Sequence, residues 1–531
     1  MYNKLCVYTP GERLLRFLRR LGGEDRRVWP CAMISALAAA LLAYHYLVIF
    51  GNGNADAMTE GLLVYTGYDW ALSCGRWATR YLSRWLSGDI VLPGLWVPLY
   101  ALCCGVSAVL ICRLWGISHL PSICLISVLL TVNPTVIEQS LLQYMFMVWG
   151  VSNVLCVMFA FANLSDKSWL RSVLLYPLFI TVAFGLYQSC VGLLCLMLCM
   201  TLIIRLLKGQ PIKALLPPLA RFAVSALIGV MLYFIILRLE ILRWGAAESS
   251  RLAAFSIAEI FASLPGTLPN AYKTFFAYFF DVVFYRSLLY KLLFVITGLF
   301  IAALCVKILK KNVFAAVLAA LLTLAIPVCA NIADIVFPYN KPVLIMQYQS
   351  ILVIPFALAI ISSAELTMPN AAVLSRAAAC LLSAALAWGY IVSANITYKV
   401  YERAYDYTYA AVASALDMVY ALPDYTPGEP VGFAGFPDDS YIRNSRAYAL
   451  SYGKYDNLVF WQGFPGLQSG RSRYLAHFFG VNGGELPYDK FVAALETEEF
   501  KEMNIFPMSN SVRRIDGLII VKFAEDFPLY G

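Results

Sequence analysis

The first long apolar run, residues 28–50, decides the fold and reads VWPCAMISALAAALLAYHYLVIF. It contains no Asp, Glu, Lys or Arg, and about 20 apolar residues are enough for a helix to cross a bilayer. The apolar core of a signal peptide is shorter, about 7 to 15 residues. We therefore interpret the run as a retained membrane helix rather than as a cleaved signal.

The composition of the whole chain indicates a polytopic membrane protein. Of its 531 residues 61% are hydrophobic and 14% are charged, with a mean hydropathy of +0.70, whereas a soluble protein has about a quarter of charged residues. Much of the formal net charge of +8 lies beside apolar runs. The position of this positive charge therefore indicates how the chain is oriented in the membrane, and we expect no nucleic-acid partner.

Ten further apolar runs follow the first, so the sequence predicts about eleven transmembrane helices. Residues 1–27 carry seven Lys and Arg, and the loops on the same predicted side are also basic. By the positive-inside rule the N-terminus is cytoplasmic, and an odd number of spans places the C-terminus outside. The predicted spans are 28–50, 91–114, 117–137, 141–163, 170–188, 189–207, 219–242, 287–310, 313–336, 345–366 and 371–395.

Three regions follow from this topology. Residues 1–27 form a basic cytoplasmic N-terminus, and residues 28–395 form the transmembrane domain, with long outer loops at 51–90 and 243–286. Residues 396–531 begin with a predicted helix leading away from the membrane. They end in a small exported α/β domain, with strands expected at VGFAGF and GLIIVKF and a helix at YDKFVAALETEEFKEM.

The outer loop 51–90 combines carboxylates with a basic helix. From Gly75 the segment GRWATRYLSRWL predicts a helix with a basic stripe beside an aromatic stripe. This pattern is typical of a helix in the membrane interface, with guanidinium groups toward phosphate. The helix either only anchors the second span or, through Arg76 at least, binds a lipid phosphate, which a planar guanidinium suits. The stripes are Arg76, Arg80 and Arg84, and Trp77, Tyr81 and Trp85.

The carboxylates of this loop each allow two interpretations. Asp56 either caps a helix that starts at Ala57 or acts in chemistry. Asp69 lies three residues after Thr66, so it either closes a capping box or acts in chemistry. Glu60 is interpreted as solvated. A carboxylate beside a phosphate-binding arginine is the arrangement that glycosyl transfer from a lipid phosphate requires.

Other polar residues collect on the same predicted outer face. They include Glu138 in the NPTVIEQ turn, the tip formed by Tyr187 and Gln188, and Lys341 in the FPYNKP turn. The spans contain few charged residues near their centres, and the sequence gives no expectation of interrupted helices. Both features argue against an ion-coupled transporter.

The sequence contains little that indicates a metal or cofactor site. The three histidines are scattered, and the 14 cysteines lie almost entirely in apolar runs, which indicates small packing residues. We predict no cofactor, and a divalent metal is not excluded.

Several motifs, in order, resemble the bacterial Gtr-type (type II) glucosyltransferases, which have the GT-C architecture. The motifs are Asp56 followed by the tripeptide GRW, the segment CRLWGI, the turn NPTVIEQSLLQYMF, the segment FGLYQSCVGL and the ending MNIFPMSNSVRRIDGLIIVKF. Together they cover most of the chain, and their order gives the resemblance its specificity.

The resemblance implies transfer of a hexose, typically glucose, from a polyprenyl-phosphate donor to a surface glycan such as O-antigen, outside the bacterial cytoplasmic membrane. It implies Asp56 as the catalytic base, with Asp69 second because this chain has Ala55-Asp56 where the family often has His-Asp or Asp-Asp. Lys341 and Arg286 are candidates for the lipid phosphate by location. The expected partners are the lipid-linked donor, a glycan or lipid-linked acceptor, membrane lipids, a flippase and a donor synthase.

Alternative functions keep the same architecture. A mannosyl- or aminosugar transferase differs only in the sugar and the acceptor. A flippase or transporter for lipid-linked sugars predicts internal repeats and a charged path through the membrane, which the sequence lacks. A polymerase of glycan repeats would also place a long charged loop outside.

Overall fold

The computed structural model describes residues 26–50, 64–246, 257–281, 284–336, 343–364, 369–435, 437–438, 440–451, 479 and 487–525. Proximity of Cα atoms divides the chain into two compact units. The first, here called the membrane unit, comprises residues 1–45, 67–139 and 145–392. The second, here called the C-terminal unit, comprises residues 46–66, 140–144 and 393–531.

The described chain is mainly helical. Up to residue 244 the helices are α1 Val28–Phe50, α2 Tyr68–Ser73, α3 Ala78–Ser87, α4 Pro93–Trp115, α5 Leu120–Thr131, α6 Pro134–Ser140, α7 Gln143–Ser165, α8 Trp169–Leu174, α9 Pro177–Leu186, α10 Val191–Leu207 and α11 Ile212–Trp244. Beyond it they are α12 Ile257–Phe280, α13 Phe284–Leu309, α14 Val313–Leu324, α15 Ile326–Ala330, α16 Ile332–Val336, α17 Val353–Ala364 and α18 Pro369–Tyr420.

The predicted class, a polytopic helical membrane protein, is confirmed. Within the described residues eight helical segments are long and apolar enough to cross a membrane, and α5 with α6, bent by 42°, makes a ninth. The predicted spans 313–336 and 345–366 coincide with the shorter apolar helices Val313–Leu324 and Tyr348–Ala364. Each of the eleven predicted runs therefore falls on helical structure, and two of them on helices too short to cross alone.

The expectation of uninterrupted helices was wrong. Between α5 and α6, Pro134 cannot continue the ladder of α5, and Asn133 turns the chain by accepting a hydrogen bond from the Val136 amide at 3.2 Å. The extended Tyr187, with φ −158° and ψ 112°, lies instead at the predicted division between the spans 170–188 and 189–207. The predicted span 313–336 is divided into α14, α15 and α16. Non-helical backbone at such places has to be buried in protein or face water.

The predicted domain boundary at residue 395 falls inside one helix, because α18 continues without a break from Pro369 to Tyr420. Its 52 residues correspond to roughly 80 Å at 1.5 Å per residue. The fall in hydropathy after residue 395 does not end the helix.

The C-terminal unit contains a three-stranded sheet with the order β1-β3-β2. Its strands are β1 Val431–Ala434, β2 Val512–Ile515 and β3 Leu518–Lys522, with β1 parallel and β2 antiparallel to β3. The short helices are α19 Ser440–Arg443, α20 Arg446–Leu450, α21 Tyr488–Leu495 and α22 Glu498–Lys501. Phe491, Phe500 and Ile520 belong to one buried apolar cluster, so the predicted α/β character is confirmed.

Candidate functional site

The GRW tripeptide owes its shape to the end of α2. Gly75 has φ 82°, the left-handed conformation that glycine adopts without cost. Its amide donates to the Leu72 carbonyl at 2.8 Å, and the Arg76 amide donates to the Ala71 carbonyl at 2.8 Å. This pair of bonds is a Schellman motif. It turns the chain back and directs Arg76 and Trp77 into the start of α3.

The Tyr-Gln tip between α9 and α10 holds this turn in place. The Gln188 side chain donates from Nε2 to the Cys74 carbonyl at 2.8 Å and to the Tyr233 hydroxyl at 3.0 Å. Tyr233 in turn donates to the Gly75 carbonyl at 3.1 Å. Two side chains from distant parts of the sequence therefore fix two consecutive carbonyls. This position makes Gln188 a positioning residue for the turn.

Arg76 lies on the aromatic side of the same cluster. Its guanidinium carbon is 4.8 Å from the centre of the Tyr187 ring, within cation–π range. Its Nε is buried and has no acceptor within the part of the chain that the structure describes. The Trp149 ring meets Tyr187 edge-on at 5.6 Å. Tyr187 is itself 4% exposed, so the guanidinium packs against a buried ring.

The Trp77 ring is fixed by a glycine of α9. A Cβ on Gly185 would lie 2.5 Å from this ring, closer than any normal carbon contact. The absence of a side chain at residue 185 is therefore what admits the indole. Since Arg76 precedes Trp77 directly, this contact also limits where the guanidinium can go.

Arg80 lies one turn further on, between two rings. Its guanidinium carbon is 3.8 Å from the Trp244 ring centre and 5.0 Å from that of Tyr68. Its Nε is also buried without an acceptor among the described residues. The nearby Glu240 is engaged elsewhere, because Tyr81 donates to it at 2.7 Å and the Trp244 indole at 3.0 Å. Burial, followed by this hydrogen bond to Glu240, raises the pKa of Tyr81.

The two predicted stripes of α3 are buried to different degrees. Arg76 and Trp77 precede α3 and are half-buried, whereas Arg84 and Trp85 are exposed, Trp85 by 82%. The predicted helix over this segment is confirmed, but it begins at Ala78, with Trp77 as its N-cap. Arg76, the first arginine of the series, is therefore partly packed within the protein, whereas Arg84, the last, is exposed.

The carboxylates divide in a similar way. Asp69 is exposed in the first turn of α2. That helix has Gly67 as its N-cap, one residue later than a capping box with Thr66 would require. Asp56, Glu60 and Lys341 lie outside the described residues. Asp89, which sequence reasoning missed, is half-buried and accepts from Arg84 Nε at 3.3 Å. Burial, then the proximity of Asp89, raises the pKa of Tyr68 to about 12.

Glu138 lies apart from the arginine cluster, on α6. Its Oε2 is buried and has no hydrogen-bond partner within the described residues, while the neighbouring Gln139 donates to the Ile345 carbonyl at 2.7 Å. Arg286, on α13, is 2% exposed and lies 5.6 Å from the Tyr285 ring centre. Among the described candidates, the structure brings together Arg76, Tyr187 and Gln188 at the GRW turn, whereas Glu138 and Arg286 lie on α6 and α13.

Within the described residues, no group of three or more His, Cys, Asp or Glu side chains is arranged to hold a metal ion. The cluster around the GRW turn offers guanidinium N–H groups, aromatic faces and backbone carbonyls. Such a set can bind an anion beside an apolar or carbohydrate surface.

These features define a class of protein. It is a polytopic helical membrane protein in which arginine side chains pack against aromatic rings close to the breaks between helices. Its family is also established. The chain belongs to the GtrII glucosyltransferase family, because the family model described as Glucosyl transferase GtrII matches residues 59–354, more than half of the chain. The match includes the GRW turn, Glu138 and the Tyr-Gln tip. No curated protein and no solved structure matches the chain.

Proposed function

We propose that this glucosyltransferase takes glucose from a polyprenyl-phosphate donor and transfers it to a surface glycan on the outer side of the bacterial cytoplasmic membrane. The observation that carries the proposal is the Arg76 guanidinium, held against Tyr187 with a buried Nε that has no acceptor within the described residues. A phosphate oxygen would satisfy that donor. Arg80, one turn away between two rings, is proposed as the second phosphate partner.

The reaction breaks the bond between C1 of the sugar and the phosphate oxygen, and it forms a bond from C1 to an acceptor hydroxyl oxygen. The hydroxyl proton passes to a carboxylate base, and the leaving group is polyprenyl phosphate. Cations at the phosphate stabilise the charge that develops on it. Arg76 and Arg80 would supply this stabilisation, and Gln188 with Tyr233 would hold the Arg76 backbone in position.

The base is proposed to be Asp56, with Asp69 as the alternative. Asp69 lies in the first turn of α2 and Arg76 follows its end, and this helix has only 6 residues. At 1.5 Å per residue α2 is roughly 9 Å long, so Asp69 and Arg76 belong to the same short stretch of chain. A carboxylate this close to a phosphate-binding arginine is placed to take a proton during transfer.

The base assignment is tested in membranes supplied with radiolabelled polyprenyl-phosphate-glucose and an acceptor glycan. We expect that either Asp56→Asn or Asp69→Asn abolishes transfer while the protein remains folded and inserted. Full activity of both variants would remove both aspartates as the base. Equal transfer from a nucleotide sugar, without the lipid donor, would overturn the donor assignment, and movement of intact donor lipid without transfer would indicate a flippase.

The phosphate assignment is tested by comparing Arg76→Gln with Arg84→Gln. Both remove one positive charge from the same loop, but Arg84 is exposed and paired with Asp89. Loss of a donor that stabilises a developing charge typically costs about 10²–10³ in rate, and we expect this loss for Arg76→Gln alone. Equal effects of the two variants would mean that only the general charge of the loop matters.

A further inference from the structure

A second group of cations lies at the other end of α10, far from the GRW turn. The turn contacts Gln188, which precedes this helix, and the second group surrounds its last residues. The 17 residues of α10 separate them by roughly 25 Å. Here a cavity of about 540 Å³ is lined by four basic side chains, and none of the described residues lining it is acidic. The four are Lys167, Arg205, Lys208 and Arg221.

Two of these cations also serve the fold. Arg205 donates from Nη2 to the Leu164 carbonyl in the last turn of α7 at 2.7 Å, and Lys208 donates to the Trp115 carbonyl at the end of α4 at 3.0 Å. A cation at a helix C-terminus is favourable. Each bond uses one donor only, so further N–H groups remain on the side of the cavity.

Arg221, by contrast, is not held by a hydrogen bond to a helix end within the described residues. It is 6% exposed, and its Nε is buried without an acceptor within the described residues. A buried charge without a partner is costly. Asp166, which directly precedes Lys167, accepts hydrogen bonds from Tyr176 and from Arg171, the latter at 3.2 Å.

The positive-inside rule alone does not account for this arrangement. It predicts basic side chains near helix ends, where long side chains reach into the headgroup region. Arg221 is buried, and it lines the same cavity as Arg205 and Lys208, which are bonded to helix ends. Burial, then the charge of Arg205, lowers the pKa of Lys208.

We propose that this cavity binds a phosphate group, carried by an anionic phospholipid headgroup or by a soluble phosphate ester. Arg221 would donate to the phosphate oxygens, with Arg205 and Lys208 beside it. Basic cavities between transmembrane helices are suited to anionic headgroups. The site is distinct from the proposed catalytic cluster and does not depend on that assignment.

The test measures thermal unfolding of the full-length protein in a neutral detergent. Phosphatidylglycerol, phosphatidylcholine, inorganic phosphate and glycerol phosphate are titrated separately. We expect phosphatidylglycerol to raise the midpoint and phosphatidylcholine to leave it unchanged. A rise with the soluble phosphates as well would identify a soluble ester as the source. If neither phosphatidylglycerol nor the soluble phosphates raise the midpoint, the proposal is overturned.

The variants Arg221→Gln and Lys213→Gln form a matched pair. Both remove one positive charge from α11, but Lys213 is exposed and does not line the cavity. We expect the apparent affinity for the stabilising phosphate to fall about tenfold or more in Arg221→Gln and to stay unchanged in Lys213→Gln. Equal losses in both would indicate diffuse attraction and overturn the site.

A purely structural role for Arg221 makes a different prediction. It would lower the midpoint of the ligand-free protein, whereas removal of an unpartnered buried charge should leave that midpoint equal or higher. If Arg221→Gln does not fold, Arg221→Lys keeps the charge and loses the planar fork. Its phosphate response should then weaken, and an unchanged response would count against the proposal.

Discussion

Arg514 of the C-terminal unit and Arg76 of the membrane unit show two ways in which a fold treats a guanidinium. Arg514 donates to Asp424 at 2.7 Å, to Glu429 at 2.8 Å and to the Asp424 carbonyl at 3.0 Å. Arg76 lies against a ring, and its buried Nε has no acceptor among the described residues. Where an arginine serves the fold, the fold supplies its acceptors. Where the acceptor is missing, a ligand is expected to supply it.

The same contrast applies within the membrane unit. Arg205 is tied to a helix end, and Arg221 beside it is not. The difference has a physical basis, because an unsatisfied buried donor costs about 1–3 kcal/mol and more when it is charged. Two such donors, Arg76 near the start of α10 and Arg221 near its end, support the two anion sites proposed above.

Among changes to the packing around the GRW turn, the largest effect should come from filling the space beside Trp77. We expect Gly185→Ala to reduce glucosyl transfer about tenfold to a hundredfold, because the new methyl group displaces the indole and with it Arg76. Gly298→Ala is the matched control, since Gly298 is helical and has nothing within 4 Å of its would-be Cβ. The initial rate of transfer in membranes, normalised to protein inserted, measures both. Equal rates would mean that the GRW turn does not need this contact.

A smaller effect is expected when the hydrogen bonds that hold the GRW turn are removed. Gln188→Leu removes the hydrogen bonds to Cys74 and Tyr233, so we expect a loss of transfer of about tenfold. Tyr233→Phe should act through the same network. In a double-mutant cycle the two losses should therefore fail to add, with a coupling of about 1 kcal/mol. Strict additivity would show that Gln188 acts separately, for example on substrate.

The smallest effect concerns Arg514, whose guanidinium has its acceptors within the fold. The hydrogen bond from Arg514 and then the Thr426 amide lower the pKa of Glu429. A lowered carboxyl pKa stabilises the folded state above the unfolded value, about 4.3. That stability is lost as the pH falls through the folded value. Arg514→Gln should therefore increase hydrogen exchange in β2 and β3 at pH 7, and the difference from wild type should shrink below about pH 4.

Arg513→Gln provides the control for this pH dependence. Arg513 lies in the same strand and pairs with Ile520 in the sheet register, and it makes no contact with Glu429. Its exchange pattern should follow that of the wild type at each pH. A matching pH dependence in both arginine variants would assign the effect to the net charge of the strand.

Much of the fold could be predicted from the sequence, because insertion into a membrane depends on a sum over side chains. Each apolar run therefore falls on helical structure, and the division at Gln188 is found between α9 and α10. Hydropathy is insensitive to the continuity of the backbone. It gave no sign of the breaks at Ala325 and Asn331, although Pro134 carried a local signal for the bend before α6.

The site could be predicted only in part. The arginine series and the Tyr-Gln tip are local patterns, and the structure brings Arg76 and Tyr187 together. The function of Gln188 as a support for residues 74 and 75 depends on a meeting of segments more than a hundred residues apart. Tyr233 and Asp89 were missed for the same reason, since a lone tyrosine in a span and a lone aspartate after a helix have no distinguishing pattern.

The contact between Trp77 and Gly185 has a consequence for how this family can vary. The Trp77 ring fills the space that a side chain at residue 185 would need, so the size of one residue sets the size allowed at the other. Relatives with a smaller residue at position 77 should tolerate a side chain at position 185, and those that keep tryptophan should keep glycine. The history of substitutions in the family would then record this contact as a correlated pair.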